Sequence, residues 1–170
     1  MSHSVTITRT TTTTSSTAIL LNTGYLKTAA GLLKLFQTIL GAICVGLVGN
    51  AIDRYGLLLS RYSNTTSETL FYLLMVTTFF ITTALLLISC IISFLSASMI
   101  HKTIFEVIYH VVGFGLLLAA GIVFLIEIKN NDREYYYNTC LAAAIIAIVN
   151  SVLYLFSTIL AYRTYRGAGL

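Results

Sequence analysis

The chain has 170 residues, of which 57% are hydrophobic and only 9% are charged. A water-facing globular surface carries roughly 25% charged residues, so this composition excludes a soluble domain and implies a bundle whose outside meets lipid. The net charge of +4 does not mark a nucleic-acid surface, because the basic residues sit at the ends of apolar stretches and form no stripe.

Residues 1–17 read as a disordered Ser/Thr-rich cytoplasmic tail, since nothing in them can bury an apolar face. Residues 18–166 read as one membrane domain. Ala18–Thr28 is a short mixed segment, expected along the inner membrane face with Tyr25 and Lys27 at the headgroups. Four predicted spans follow, at 29–52, 69–95, 104–126 and 135–162. At about 1.5 Å per residue, each is long enough, or nearly so, to cross a hydrocarbon core of about 30 Å. The first span is expected to act as its own insertion signal, with no cleaved leader. The first outer loop, Asp53–Glu68, contains the sequon Asn64-Thr65-Thr66, a candidate glycosylation site. The connector Ser96–Thr103 is short, which makes the second and third spans antiparallel neighbours. The second outer loop, Glu127–Glu134, leads into Tyr135-Tyr136-Tyr137, an interfacial aromatic belt. Residues 167–170 form a C-terminal tail. The fold class is all-α: a polytopic, antiparallel bundle of four transmembrane helices.

Charge sets the expected orientation. Arg9, Lys27, Lys34, Lys102, Arg163 and Arg166 fall on one side, with Glu106 as its acid. Arg54, Arg61, Lys129 and Arg133 fall on the other, among Asp53, Glu68, Glu127, Asp132 and Glu134. The excess of Lys and Arg places both termini in the cytoplasm.

Helices in lipid associate through small residues and a few polar contacts. Three small-xxx-small patterns qualify: Ala42 and Gly46 followed by Gly49, Gly115 with Ala119, and Ala143 with Ala147. They serve either contacts inside the bundle or contacts with another protein. Asn150, near the middle of the fourth span, is the expected interhelical hydrogen-bonding residue, with Gln37 and Thr77, Thr78, Thr82 and Thr83 as further intramembrane polar groups. Lys102, Glu106 and His110 recur every four residues and share one helix face. That cluster reads either as a proton-handling site or as an interfacial ladder in which Lys102 neutralises Glu106. Cys90 lies about two turns from the inner end of its span, a position open to palmitoylation or to packing as a small hydrophobe. Cys44 and Cys140 imply no disulfide framework. No nucleophile elbow, phosphate loop or metal-ligand cluster occurs, so neither an enzyme nor a cofactor is expected.

Two segments carry a family resemblance. One is Leu21-Asn22-Thr23-Gly24-Tyr25-Leu26-Lys27-Thr28, leading into Gly31-Leu32-Leu33-Lys34-Leu35-Phe36-Gln37 and Gly41. The other is Tyr137-Asn138 with Ala142-Ala143-Ala144, in a helix that ends Ala161-Tyr162-Arg163-Thr164-Tyr165-Arg166-Gly167. Together they resemble the MARVEL-domain family, in its MAL, plasmolipin and chemokine-like-factor-like branch, and the threonine-rich leader is similar to that of invertebrate members. Where relatives often have a proline before the glycine matching Gly31, this chain has Ala29-Ala30. The resemblance implies a non-catalytic membrane-organising protein of the plasma membrane or trafficking vesicles. It acts in vesicle trafficking, membrane apposition, cell junctions or ordered lipid domains. Its partners would be membrane lipids, other integral membrane proteins and further copies of itself, not nucleic acid. The alternatives are a companion subunit of a larger membrane complex and, further off, a small channel or transporter.

Overall fold

The structure, a computed structural model, describes residues 22–55, 66–130 and 137–168. A short 3-10 turn, Thr23–Lys27, precedes five α-helices: α1 (Ala29–Tyr55), α2 (Thr66–Ile92), α3 (Phe94–Ile100), α4 (Ile104–Asn130) and α5 (Tyr137–Ala168). No strand occurs among the described residues. α1, α2, α4 and α5 are each long and apolar enough to cross a membrane. They form a ring in which α1 and α4 each pack on both α2 and α5. The protein is a multi-pass membrane bundle. Thr10–Thr14, Asn64, Tyr135 and Tyr136 lie outside the described residues.

Each helix turns one stripe inward at three- and four-residue spacing. On α2 the stripe is Thr69, Tyr72, Val76, Phe79, Thr83, Leu87 and Cys90. On α1 it includes Lys34, Gln37, Cys44, Val48 and Ala51. Large apolar residues such as Phe36, Leu85, Ile108 and Phe156 stand outward, each at least half exposed. The interior is thus more polar than the exterior. In lipid the apolar exterior needs no burial, and polar groups are satisfied only among themselves.

The span expected to run unbroken from Thr69 to Leu95 ends earlier, at Ile92. Ser93 adopts extended backbone, and its hydroxyl accepts a hydrogen bond from the Ser96 amide at 3.1 Å, so it caps a separate helix, α3. Serine is a preferred residue at that position because its oxygen satisfies one of the orphan amides of the first turn. At the same end of the bundle, Thr28 plays the same part for α1, accepting from the Gly31 amide at 3.1 Å. Of the two residues of the preceding turn expected at the headgroups, Lys27 is exposed but Tyr25 turns inward. Tyr25 is buried against Leu87, Cys90 and Ala97, and the Asn22 amide donates to the Ile91 carbonyl at 2.7 Å. Burial holds the Tyr25 phenol above its ordinary range.

The tight helix pair is α4 with α5. A methyl on Gly113 would lie 2.6 Å and 2.8 Å from two carbons of the Tyr154 ring and 3.1 Å from Phe79. One on Gly121 would lie 2.7 Å from Ile148. Gly115, two residues from Gly113, faces open space. Gly113→Ala is therefore expected to lower unfolding stability in mild detergent by about 1–3 kcal/mol. Gly115→Ala should be neutral or raise it by up to about 1 kcal/mol through helix propensity. Equal effects at the two positions would refute this packing.

Candidate functional site

Only one of the three small-residue patterns faces the interior. Ala143 and Ala147 of α5 are buried, with Ala144, against Leu117, Ala120 and Phe124 of α4. Ala42, Gly46 and Gly49 of α1, and Gly115 and Ala119 of α4, are exposed, and no atom approaches the missing Cβ of any of these three glycines within 4 Å. The glycines that close the α4–α5 contact are instead Gly113 and Gly121. Spacing alone did not separate the two registers, because Gly113, Gly115, Ala119, Ala120 and Gly121 crowd one helix and cover more than one face.

The chemically distinctive feature is a charged centre inside the bundle. Lys34 of α1 and Glu106 of α4 are 1% and 2% exposed, and the Lys34 Nζ donates to Glu106 Oε1. The other carboxylate oxygen lies 2.7 Å from His101 Nδ1, at the end of α3. His110 is fully buried one turn along α4, its Nε2 3.7 Å from Glu106 Oε1, and neither ring nitrogen has a hydrogen-bond partner. A cavity of about 20 Å³, lined by Lys34, His101, Glu106, His110, Ser157 and Thr164 among others, adjoins these groups. That is room for about one water molecule.

The expected ladder of Lys102, Glu106 and His110 is thereby corrected at its first rung. Lys102 is exposed at the turn between α3 and α4, and the cation on Glu106 comes from α1. By sequence Lys34 counts as an orienting charge at the membrane surface, whereas the structure buries it. Its position three residues before Gln37, on one face of an apolar helix, was the signal for an inward polar stripe. His101 carried no such signal, because only the break at Ser93 and the turn of α3 bring it back to Glu106.

Two further polar layers continue inward. Gln37 Nε2 donates to Ser157 Oγ at 2.8 Å, and Asn150 Nδ2 donates to the Gln37 main-chain carbonyl at 3.3 Å, tying α5 to α1. The Thr83 hydroxyl meets the Tyr109 hydroxyl at 2.7 Å and also that of Tyr154. The His110 ring stands edge-on between Tyr109 and Tyr154, at 5.1 and 5.6 Å. Of the other threonines, Thr82 bonds back to the Thr78 carbonyl of its own helix. Nearer the opposite end, the Tyr72 hydroxyl donates to the Ala143 carbonyl at 2.7 Å, beside Cys44.

All three cysteines are free and fully buried. Cys90 packs beside Tyr25 and Leu87, so the thiol considered for palmitoylation is closed to a modifying enzyme in this fold. Among the described residues no group of three His, Cys, Asp or Glu side chains is arranged to hold a metal ion.

A family model described as MARVEL, membrane-associating domain, matches residues 25–160. No curated protein and no solved structure matches the chain.

Proposed function

The chain belongs to the MARVEL family of membrane-associating domains, and from that premise we propose that it is a non-catalytic organiser of membranes. It works in vesicle trafficking or membrane apposition, through lateral contacts with lipid and with the helices of neighbouring proteins. The observation that carries the reading is the division of the bundle's residues. Lys34, Glu106 and His110 gather inside, while the outside is an apolar coat interrupted by the small-residue faces of α1 and α4. Small faces allow the close backbone approach by which helices associate in lipid. On this reading both termini lie in the cytoplasm, for which the excess of Lys and Arg on that side speaks, and the protein resides in the plasma membrane, trafficking vesicles or both.

The test is purification in a gentle detergent with mass analysis of what accompanies the protein. An organiser is expected to carry integral membrane proteins or further copies of itself. The double variant Gly46→Leu/Gly49→Leu should lose them while keeping its helical content. A single partner at fixed stoichiometry would assign the companion-subunit role instead. Ion flux through the pure reconstituted protein would refute both.

A further inference from the structure

α5 is longer than a membrane crossing requires. Its 32 residues extend about 48 Å, against a hydrocarbon core of about 30 Å. With Tyr137 at one boundary, the last three turns reach the headgroup layer at the opposite face. On that projecting end an open groove of about 530 Å³ is lined by Thr158, Ile159, Tyr162, Arg163, Arg166 and Gly167. Both guanidinium groups are exposed, and Arg166 lies 6.0 Å from the centre of the Tyr162 ring.

The charge around the groove has one sign. The start of α1, the turn at His101, the start of α4 and the end of α5 meet around the small buried cavity, so they share one end of the bundle. Exposed at that end are Lys27, Lys102, Arg163 and Arg166. Among the described residues the acid there is Glu106, buried and already paired with Lys34. Among the described residues, therefore, no exposed carboxylate stands beside these cations.

We propose that the groove at the end of α5 is a binding site for an anionic phospholipid. Arg163 and Arg166 hold the phosphate-bearing headgroup, and Ile159 and Tyr162 lie against the upper part of its chains. Guanidinium suits this task because its planar fork of donors matches phosphate oxygens and it stays charged at any physiological pH. The apolar wall selects a lipid over a soluble anion, since only a lipid covers it. A basic end that served insertion alone would need no choice among lipids. The proposal rests on the membrane-organiser reading only in requiring that the bundle span a bilayer.

The full chain is reconstituted into phosphatidylcholine vesicles carrying a trace of spin-labelled phosphatidylserine or, in parallel, spin-labelled phosphatidylcholine. The motionally restricted fraction then reports lipid held against the protein. The serine lipid is expected to be preferred by about fivefold or more, the effect of one or two basic residues near an anionic surface. The preference should shrink with added salt. Arg163→Gln/Arg166→Gln should bring it close to unity, and Lys129→Gln at the far end should leave it unchanged. Equal restriction of the two lipids by the native protein overturns the proposal, as does a preference that survives the double substitution or the salt series. If the double variant fails to insert, the single variants Arg163→Gln and Arg166→Gln serve, each expected to remove part of the preference; no reduction in either overturns it. Lipid preference without any co-purifying protein would refute the organiser and leave this site standing.

Discussion

Glu106→Gln is expected to destabilise the bundle by about 3–5 kcal/mol, the largest effect of any single polar substitution here. The carboxylate joins two other elements, accepting from Lys34 of α1 and meeting His101 at the end of α3, and it lies 3.7 Å from His110 on its own helix. An amide keeps the shape but leaves the Lys34 ammonium unpaired at 1% exposure, and an uncompensated charge inside a bundle is costly. Removing both charges is a different experiment. Lys34→Met with Glu106→Leu replaces the pair by apolar groups and should recover most of the loss, because a buried ion pair repays little more than its own desolvation. Reversible unfolding in mixed micelles measures both variants. A loss below about 1 kcal/mol for Glu106→Gln, or no recovery in the double variant, would show that the pair does not close as described.

The second large effect is expected at Gly31. An added methyl there would collide with the main-chain carbonyl oxygen of Tyr25 and lie 2.9 Å from its carbon. Main chain has no rotamer to move, unlike the Ile148 side chain opposite Gly121. The same turn is held by the Thr28 hydroxyl, which donates to the Tyr25 carbonyl at 2.7 Å while accepting from the Gly31 amide. Gly31→Ala must therefore push the 3-10 turn away from α1, withdrawing Tyr25 from Leu87, Cys90 and Ala97. The expected cost is about 3 kcal/mol, at the upper end for an overpacked site. The sharper readout is chemical. Cys44, Cys90 and Cys140 are all fully buried, so the native protein should resist a membrane-permeant thiol reagent, and Gly31→Ala should expose Cys90 alone. Labelling of all three would mean general unfolding, and labelling of none would mean that the turn tolerates the methyl.

How much of this was legible beforehand differs between the fold and the site. Four charge-poor stretches, each near the length of a bilayer crossing, were sufficient for the class, because the cost of unsatisfied backbone in lipid leaves the helix as the spanning structure for such segments. Rotation about each helix axis was another matter. In a soluble helix the apolar stripe marks the buried face, but here nearly every residue is apolar and that contrast vanishes. The reliable markers were the polar residues themselves, and they pointed inward: Lys34 with Gln37, Glu106 with His110, and Asn150 with Tyr154 and Ser157. Reading Lys34 as a surface charge hid the partner of Glu106 and gave that place to Lys102.

What the sequence by itself determined, then, is the membrane bundle and the apolar character of its surface, since these depend on composition and segment length; the family rests instead on the segments around Gly31 and Ala143. Tertiary structure alone decided which of the small-residue faces are occupied, that Ser93 breaks the second span so that His101 returns to Glu106, and that Tyr25 seals Cys90. These depend on distances between helices far apart in the chain. A single carboxylate can be claimed by whichever cation the packing brings nearest, and Lys34 stands 72 residues away from Glu106.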